Sequence, residues 1–188
     1  MSVAPMSSQT PPAPGRGANG PRASRNSAAP PGYGTVTPWI ISPDTARLIE
    51  FTKTAFGAQE LARVPGPDGK SIGHAEVRIG DSVVMMFDAR DGWPGTPAFL
   101  RLYVPDASAV YQRALAAGAT SVTEVTALFF GDRVRRVRDP LGNIWWIQSH
   151  DEDVDPAELT RRPQDPAAAR ALRYVETSLD TAIRQQPA

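Results

Sequence analysis

The sequence predicts an α+β fold of two tandem βαβββ modules, and three observations carry that prediction. First, strand, capping residue, helix, glycine and a late turn-plus-strand occur twice in the same order, about sixty residues apart. The first copy runs through Trp39-Ile40-Ile41-Ser42-Pro43-Asp44, Phe56-Gly57-Ala58 and Ile79-Gly80-Asp81-Ser82-Val83-Val84-Met85-Met86-Phe87. The second runs through Leu102-Tyr103-Val104-Pro105-Asp106, Ala117-Gly118-Ala119 and Pro140-Leu141-Gly142-Asn143-Ile144-Trp145-Trp146-Ile147. Second, short β-branched and aromatic runs separated by Gly, Pro and Asp clusters read as strands. Third, the helix of each module opens on an Asp cap and closes on glycine. Two such units facing each other would form a cleft.

The elements follow in order. Residues 36–41 are a strand, and Ser42-Pro43-Asp44 supplies N-cap chemistry with proline at the helix start. Leu48, Ile49, Ala55 and Phe56 share a helix face that Gly57 terminates. Residues 59–64 are a strand, Pro65-Gly66-Pro67-Asp68-Gly69 is a turn, and 72–79 alternate, with His74, Glu76 and Arg78 on one side. Gly80-Asp81 is a hairpin turn into 82–87. The second module repeats this: a strand at 99–104, a helix capped by Asp106 and ended by Gly118, then strands at 120–125, 133–138 and 143–149. Asp139-Pro140-Leu141-Gly142 forms the last hairpin turn.

These elements set the boundaries. Residues 1–34 are rich in Pro, Ala, Ser and Gly, carry Arg16, Arg22 and Arg25 without an acid, and are expected to be a disordered tail. Residues 35–150 are one domain, with modules at 35–90 and 97–150, and 151–188 are a C-terminal helical extension. Within that extension Ala171, Leu172, Val175, Leu179 and Ile183 give the last helix an apolar stripe, read as docking on its own domain in preference to dimerisation.

Composition narrows the function. The 188 residues carry zero formal net charge and 21% charged residues, so nothing points to nucleic acid or an anionic membrane as partner. No apolar run approaches the roughly 20 residues of a membrane-spanning helix. The absence of cysteine excludes disulfides and thiolate chemistry. With no targeting signal recognised, the expected location is cytoplasmic. Gly69-Lys70-Ser71 lacks the upstream glycine spacing of a phosphate loop, and no serine sits in a glycine-flanked strand-to-helix elbow.

The chain resembles the vicinal oxygen chelate superfamily, which holds glyoxalase I, extradiol dioxygenases, fosfomycin-resistance enzymes and bleomycin-binding proteins. Within it the chain is most similar to glyoxalase/bleomycin resistance proteins called PhnB-like. The residues that carry the resemblance are Thr37-Pro38-Trp39-Ile40-Ile41, Phe56-Gly57-Ala58, Ile72-Gly73-His74-Ala75-Glu76-Val77-Arg78-Ile79-Gly80-Asp81-Ser82, Leu102-Tyr103-Val104, Gly131-Asp132-Arg133 and Val137-Arg138-Asp139-Pro140-Leu141-Gly142. It spans about residues 35–155. It implies a glyoxalase/bleomycin-resistance-type cleft between the modules and, by analogy with bleomycin-binding relatives, a homodimer with cavities at the subunit contact.

Registered on the superfamily pattern, the four metal positions fall at Thr37, Met86, Phe99 and Trp146. The metalloenzymes have His, Glu or Gln there, so the resemblance implies no metal site and no cofactor in this chain. Period-two alternation then turns Trp39, Arg101, Tyr103 and Gln148 into the cleft with those four. That composition suits a flat small-molecule ligand stacked on aromatic faces, or a narrow core filled by the same rings. His74 and Glu76 share a face, and three readings apply to them: a catalytic acid–base pair, part of a displaced metal site, or a satisfied polar pair. Arg135 and Arg136 are read as solvated or rimming an entrance. The leading expectation is a metal-independent small-molecule-binding protein that sequesters an aromatic compound or antibiotic. The alternatives are a glyoxalase-like lyase, isomerase or dioxygenase-type enzyme using His74 and Glu76 or a displaced metal site, and a non-catalytic interaction module.

Overall fold

The computed structural model describes residues 29–30 and 32–185. The expected disorder of the N-terminal tail therefore falls mostly outside the described residues. Eight strands and four helices follow in the predicted order: β1 Trp39–Ser42, α1 Thr45–Phe56, β2 Gln59–Pro65, β3 Ile72–Ile79 and β4 Ser82–Asp88 make the first module. The second comprises β5 Phe99–Tyr103, α2 Ala107–Ala116, β6 Thr120–Ala127, β7 Asp132–Arg138 and β8 Ile144–His150. Helix α3 (Pro156–Arg161), a 3₁₀ turn and α4 (Pro166–Arg184) complete the described chain.

Each module forms its own mixed sheet. The strand orders β1-β4-β3-β2 and β5-β8-β7-β6 are identical in form. In each, the first strand lies parallel to the fourth and the other neighbours are antiparallel. A parallel pair needs a crossover, and the helix with its two following strands supplies one. The helices begin where the sequence places them: Asp44 and Asp106 accept from the backbone N–H of Arg47 and Ala109. Gly57 closes α1 in the left-handed region at φ 69°, which a residue with a Cβ would resist.

The two modules are joined through their helices. Ile40, Leu48, Ile49, Ala75, Val77 and Met86 of the first module share one continuous core with Val110, Ala114, Val137, Trp145 and Ile147 of the second. Phe56 reaches from the end of α1 to Trp145, with ring centroids 4.8 Å apart. Trp145 is fully buried. Its indole N–H donates to Asp139 Oδ2 at 2.8 Å, and the same carboxylate accepts from Asn143 Nδ2 and from the backbone N–H groups of Leu141 and Asn143. One buried carboxylate thus shapes the last hairpin and fixes the indole that meets the other module.

Helix α4 docks on its own domain, as its stripe predicts. Val175, Ala171 and Leu172 pack with Leu128, Val134, Phe130 and Trp146 on the side of the second sheet opposite α2. Tyr174 Oη accepts from Glu124 N, and Ser178 and Thr123 share a 2.8 Å hydrogen bond. Arg135 and Arg136 are consequently buried, at 1% and 2% exposure, rather than solvated or at an entrance. They alternate across β7, so α2 covers one and α4 the other. Arg135 donates to Ser108 Oγ on α2, and Arg136 to the Val175 carbonyl on α4. Gly131, at φ 93°, lets the chain pass against the backbone of Glu152 on the way to the C-terminal helices. No helix among the described residues is long and apolar enough to cross a membrane.

Removing the Asp139 carboxylate would leave the Trp145 indole N–H and the Asn143 amide buried without acceptors. Each orphaned donor costs about 1–3 kcal/mol, and the costs overlap, so Asp139→Ala should destabilise by about 3 kcal/mol. Urea denaturation measures this directly; a loss below about 1 kcal/mol would contradict the assigned role.

Candidate functional site

Each sheet has one face on the shared helix core and one face turned away from it. Strand alternation assigns the residues. On the first sheet Trp39 pairs with Met85 and Met85 with Glu76, while Ile40 pairs with Met86 and Met86 with Ala75. Trp39, His74, Glu76 and Met85 therefore share the outer face. Met86, expected to line the cleft, instead lies fully buried against the helices. The reason is register: the Gly80-Asp81 turn pairs Ile79 with Ser82, which sends Val84 and Met86 to the core side. Met85 takes the outward position.

The outer face of the first sheet carries a hydrogen-bonded chain. His74 Nε2 lies 3.0 Å from Glu76 Oε1, and Tyr33 Oη donates to Glu76 Oε2 at 2.5 Å. Trp39 packs beside His74 and Phe87, with centroids 5.6 and 5.4 Å away. The Tyr33 bond, then the His74 bond, hold the Glu76 carboxyl below the usual carboxylate range. The same Glu76 contact pushes the Tyr33 phenol up. Glu76 is thus an ionised acceptor at neutral pH, suited to orienting the imidazole rather than to donating a proton. Tyr33 escaped the sequence reading because it sits in a stretch whose composition resembles a tail. Thr37 is half-buried just ahead of β1.

The outer face of the second sheet carries Phe99, Arg101 and Tyr103 from β5, with Trp146 and Gln148 from β8. Arg101 and Arg136 both lie on the Trp146 ring, their guanidinium carbons 4.1 and 3.8 Å from its centroid. Gln148 Nε2 donates to Tyr103 Oη at 3.2 Å and to Asp132. Asp132 also contacts His150 Nδ1 at 2.6 Å, and Asp153 holds His150 Nε2 at 2.9 Å. These two carboxylates raise the His150 pKa, Asp132 first. Arg101, Trp146 and Gln148 line a cavity of about 440 Å³, closed on its far side by α4.

The expected site residues thus fall into two sets. Trp39, His74 and Glu76 belong to the first sheet, with Thr37 just ahead of it; Phe99, Arg101, Tyr103, Trp146 and Gln148 belong to the second. The hydrogen bonds and ring contacts these side chains make, some of them to Tyr33 and Phe87 or to Asp132 and Arg136, join no member of one set to a member of the other. Several keep large exposed surfaces: Trp39 at 52%, Phe99 at 47% and Tyr103 at 61%. Arg136 joined the second set unforeseen; its burial depends on α4, which no local pattern around β7 reveals.

Comparison with known proteins supplies the family. The sequence profile of the Glyoxalase/Bleomycin resistance protein/Dioxygenase superfamily matches residues 33–147. The uncharacterized protein Mb0911c of Mycobacterium bovis is 40% identical over 135 residues, covering 66% of this chain and 88% of that protein. Among solved structures, TioX from Micromonospora sp. ML1 aligns with a TM-score of 0.51 at 24% identity, over 65% of this chain and all of TioX. A glyoxalase/bleomycin resistance protein/dioxygenase family enzyme from Burkholderia phytofirmans aligns at 0.50 and 19% identity, over 63% of this chain and 97% of that one. These structural likenesses show the fold. The chain belongs to the glyoxalase/bleomycin resistance protein/dioxygenase superfamily.

The metalloenzymes of this superfamily need nitrogen and oxygen donors on these strands. The outward strand positions offer an indole at Trp39, a thioether at Met85, a phenyl at Phe99 and an indole at Trp146; His74 and Glu76 add one imidazole and one carboxylate bonded to each other, and with the Thr37 hydroxyl these do not assemble the N/O shell of zinc, nickel, iron or manganese. Nor is any group of three or more His, Cys, Asp or Glu side chains among the described residues placed to hold a metal ion. The residues present do not fit the superfamily's metal.

Because its folded pKa is lowered, Glu76 contributes stability that is complete above its ordinary value of 4.5 and disappears as pH falls through the lowered folded value. Tyr33→Phe should move the Glu76 carboxyl titration to higher pH, read by carbon NMR, and bring the onset of acid unfolding to higher pH. An unshifted titration would remove Tyr33 from the site.

Proposed function

We propose that this chain is a metal-independent small-molecule-binding protein of the glyoxalase/bleomycin-resistance type, on the PhnB-like side of the superfamily, that sequesters an aromatic compound or antibiotic. One observation carries the reading: the outward strand positions hold aromatic rings and guanidinium groups where a metalloenzyme needs donors. Aromatic walls with a few polar groups suit binding by stacking and hydrogen bonding. Thr37, Trp39, Phe99, Arg101, Tyr103, Trp146 and Gln148 are the proposed contacts.

The working unit we propose is a homodimer. Trp39, Phe99 and Tyr103 leave large aromatic surfaces in water within one chain, and closing the outer faces against a second copy would bury them. A second reading rests on a different observation, the Tyr33–Glu76–His74 chain. It would serve a lyase or isomerase in which Glu76 orients His74 as the proton carrier.

Melting temperatures across a panel of neutral and charged aromatic compounds, including antibiotics, test the main reading. A true ligand at one hundred times its Kd stabilises by about 2.7 kcal/mol, or several degrees. Trp146→Ala or Trp39→Ala should abolish the shift. Protein purified without chelator should hold no stoichiometric metal. About one equivalent of nickel, zinc, manganese or iron, lost in His74→Ala, would overturn the reading in favour of the enzyme.

Light scattering should give twice the chain mass, falling to a single chain in Trp39→Asp or Tyr103→Asp. A wild-type monomer at micromolar concentration would sink the dimer.

A further inference from the structure

The cavity between the second sheet and α4 contains an electrostatic imbalance. Arg136 is 2% exposed, yet no ion pair to a carboxylate is made by it among the described residues. Its Nη1 donates to two neutral oxygens, Thr123 Oγ1 at 3.1 Å and the Val175 carbonyl at 2.6 Å, and its Nε has no partner. Arg101 brings a second guanidinium to the same Trp146 ring. Burial, then Arg101, pushes the Arg136 pKa down to about 10, so the cation persists at neutral pH under strain from its surroundings. The buried Trp146 indole N–H and Gln148 Oε1 also lack partners.

All four of these residues line one cavity of about 440 Å³. Two carboxylates line the cavity: Asp132 is already engaged by Gln148 and His150, and Glu176, exposed on α4, makes no ion pair with either arginine among the described residues. The rest of the wall is largely apolar, with Leu128 and Phe130 from the domain and Leu172, Val175 and Leu179 from α4. A buried cation without a counter-ion is costly to keep, and the fork of a guanidinium is geometrically matched to a carboxylate. The helix that closes this cavity, residues 166–184, lies outside the 33–147 superfamily match. The α4 wall of the pocket therefore lies outside the superfamily match, and most of the opposite wall lies inside it.

We propose that this cavity binds a small organic carboxylate with a flat apolar body, its acid group held by Arg101 and Arg136 and its body lying against Leu172, Val175 and Leu179. The assignment rests on the small-molecule-binding reading and adds to it the charge class of the ligand and the helix that helps to hold it. The empty-handed donors explain the selectivity: a carboxylate offers acceptors to both guanidiniums and to the indole N–H, and a neutral amide of the same shape offers fewer and no charge.

Calorimetric titration of the full chain with 2-naphthoate and indole-3-acetate, against 2-naphthamide and indole-3-acetamide, tests it. Each acid should bind at least tenfold more tightly than its amide. Arg101→Met, on an exposed strand position, and Arg136→Met should each erase that preference, whereas Arg170→Met on α4 should keep it. Leu172→Trp, which fills the apolar end, should weaken the acids while leaving the melting temperature of the free protein near wild type. Because Arg136→Met removes a buried group, its melting temperature is recorded, and Arg101→Met decides the matter if that variant does not fold. Equal binding of acid and amide, a preference that survives Arg101→Met, or no binding by either acid would overturn the assignment. If at the same time neutral aromatic compounds still raise the melting temperature, the binding function stands and only the anion site falls; if nothing binds, both fall.

Discussion

The Asp139–Trp145–Phe56 relay holds the architecture together. A carboxylate inside the last hairpin fixes the indole of Trp145 by its N–H, and the indole meets a phenyl ring at the end of the first module's helix. Both sheets are then committed to a single helix-side core, and their other faces are turned away from it. Had the modules instead met through their outer faces, the same aromatic residues would have formed an ordinary core. Trp145 has one acceptor for its N–H and packs its ring on Phe56 within the shared core, which gives the junction a specific geometry beyond hydrophobic contact.

The two outer faces, alike in topology, have been finished differently. The first carries the Tyr33–Glu76–His74 chain beside Trp39 and is only partly covered. The second is roofed along β6 and β7 by α4, which turns an open sheet into a walled cavity and buries Arg136 against Trp146. A duplicated framework thus presents two chemistries: an acid-centred one on the first sheet and a cation-rich one on the second. The roof leaves Phe99 and Tyr103 on the β5 edge exposed, so the second face is closed at one end and available at the other.

Much of the fold was legible in the residues. Period-two alternation put His74, Glu76 and Arg78 on one side of their strand and separated Trp145 from Trp146, because backbone pleating alone fixes those relations. Met86 shows the limit. Two adjacent methionines in a fully apolar strand carry no alternation, so only the pairing set by the Gly80-Asp81 turn decides which of them is buried. Tyr33 was hidden by the opposite circumstance, a lone aromatic residue in a Pro- and Gly-rich stretch whose partner lies 43 positions away.

By itself, the sequence determined the order and type of the elements and the glyoxalase-type repeat. These follow from local pattern, capping chemistry and residue identity. Tertiary structure alone decided that the expected contacts divide between two faces, that Arg135 and Arg136 are buried, and that the C-terminal helix forms the wall of a cavity. Those outcomes depend on which distant segment covers which face. Burial and charge pairing are properties of neighbours in space, and no local pattern of residues specifies them.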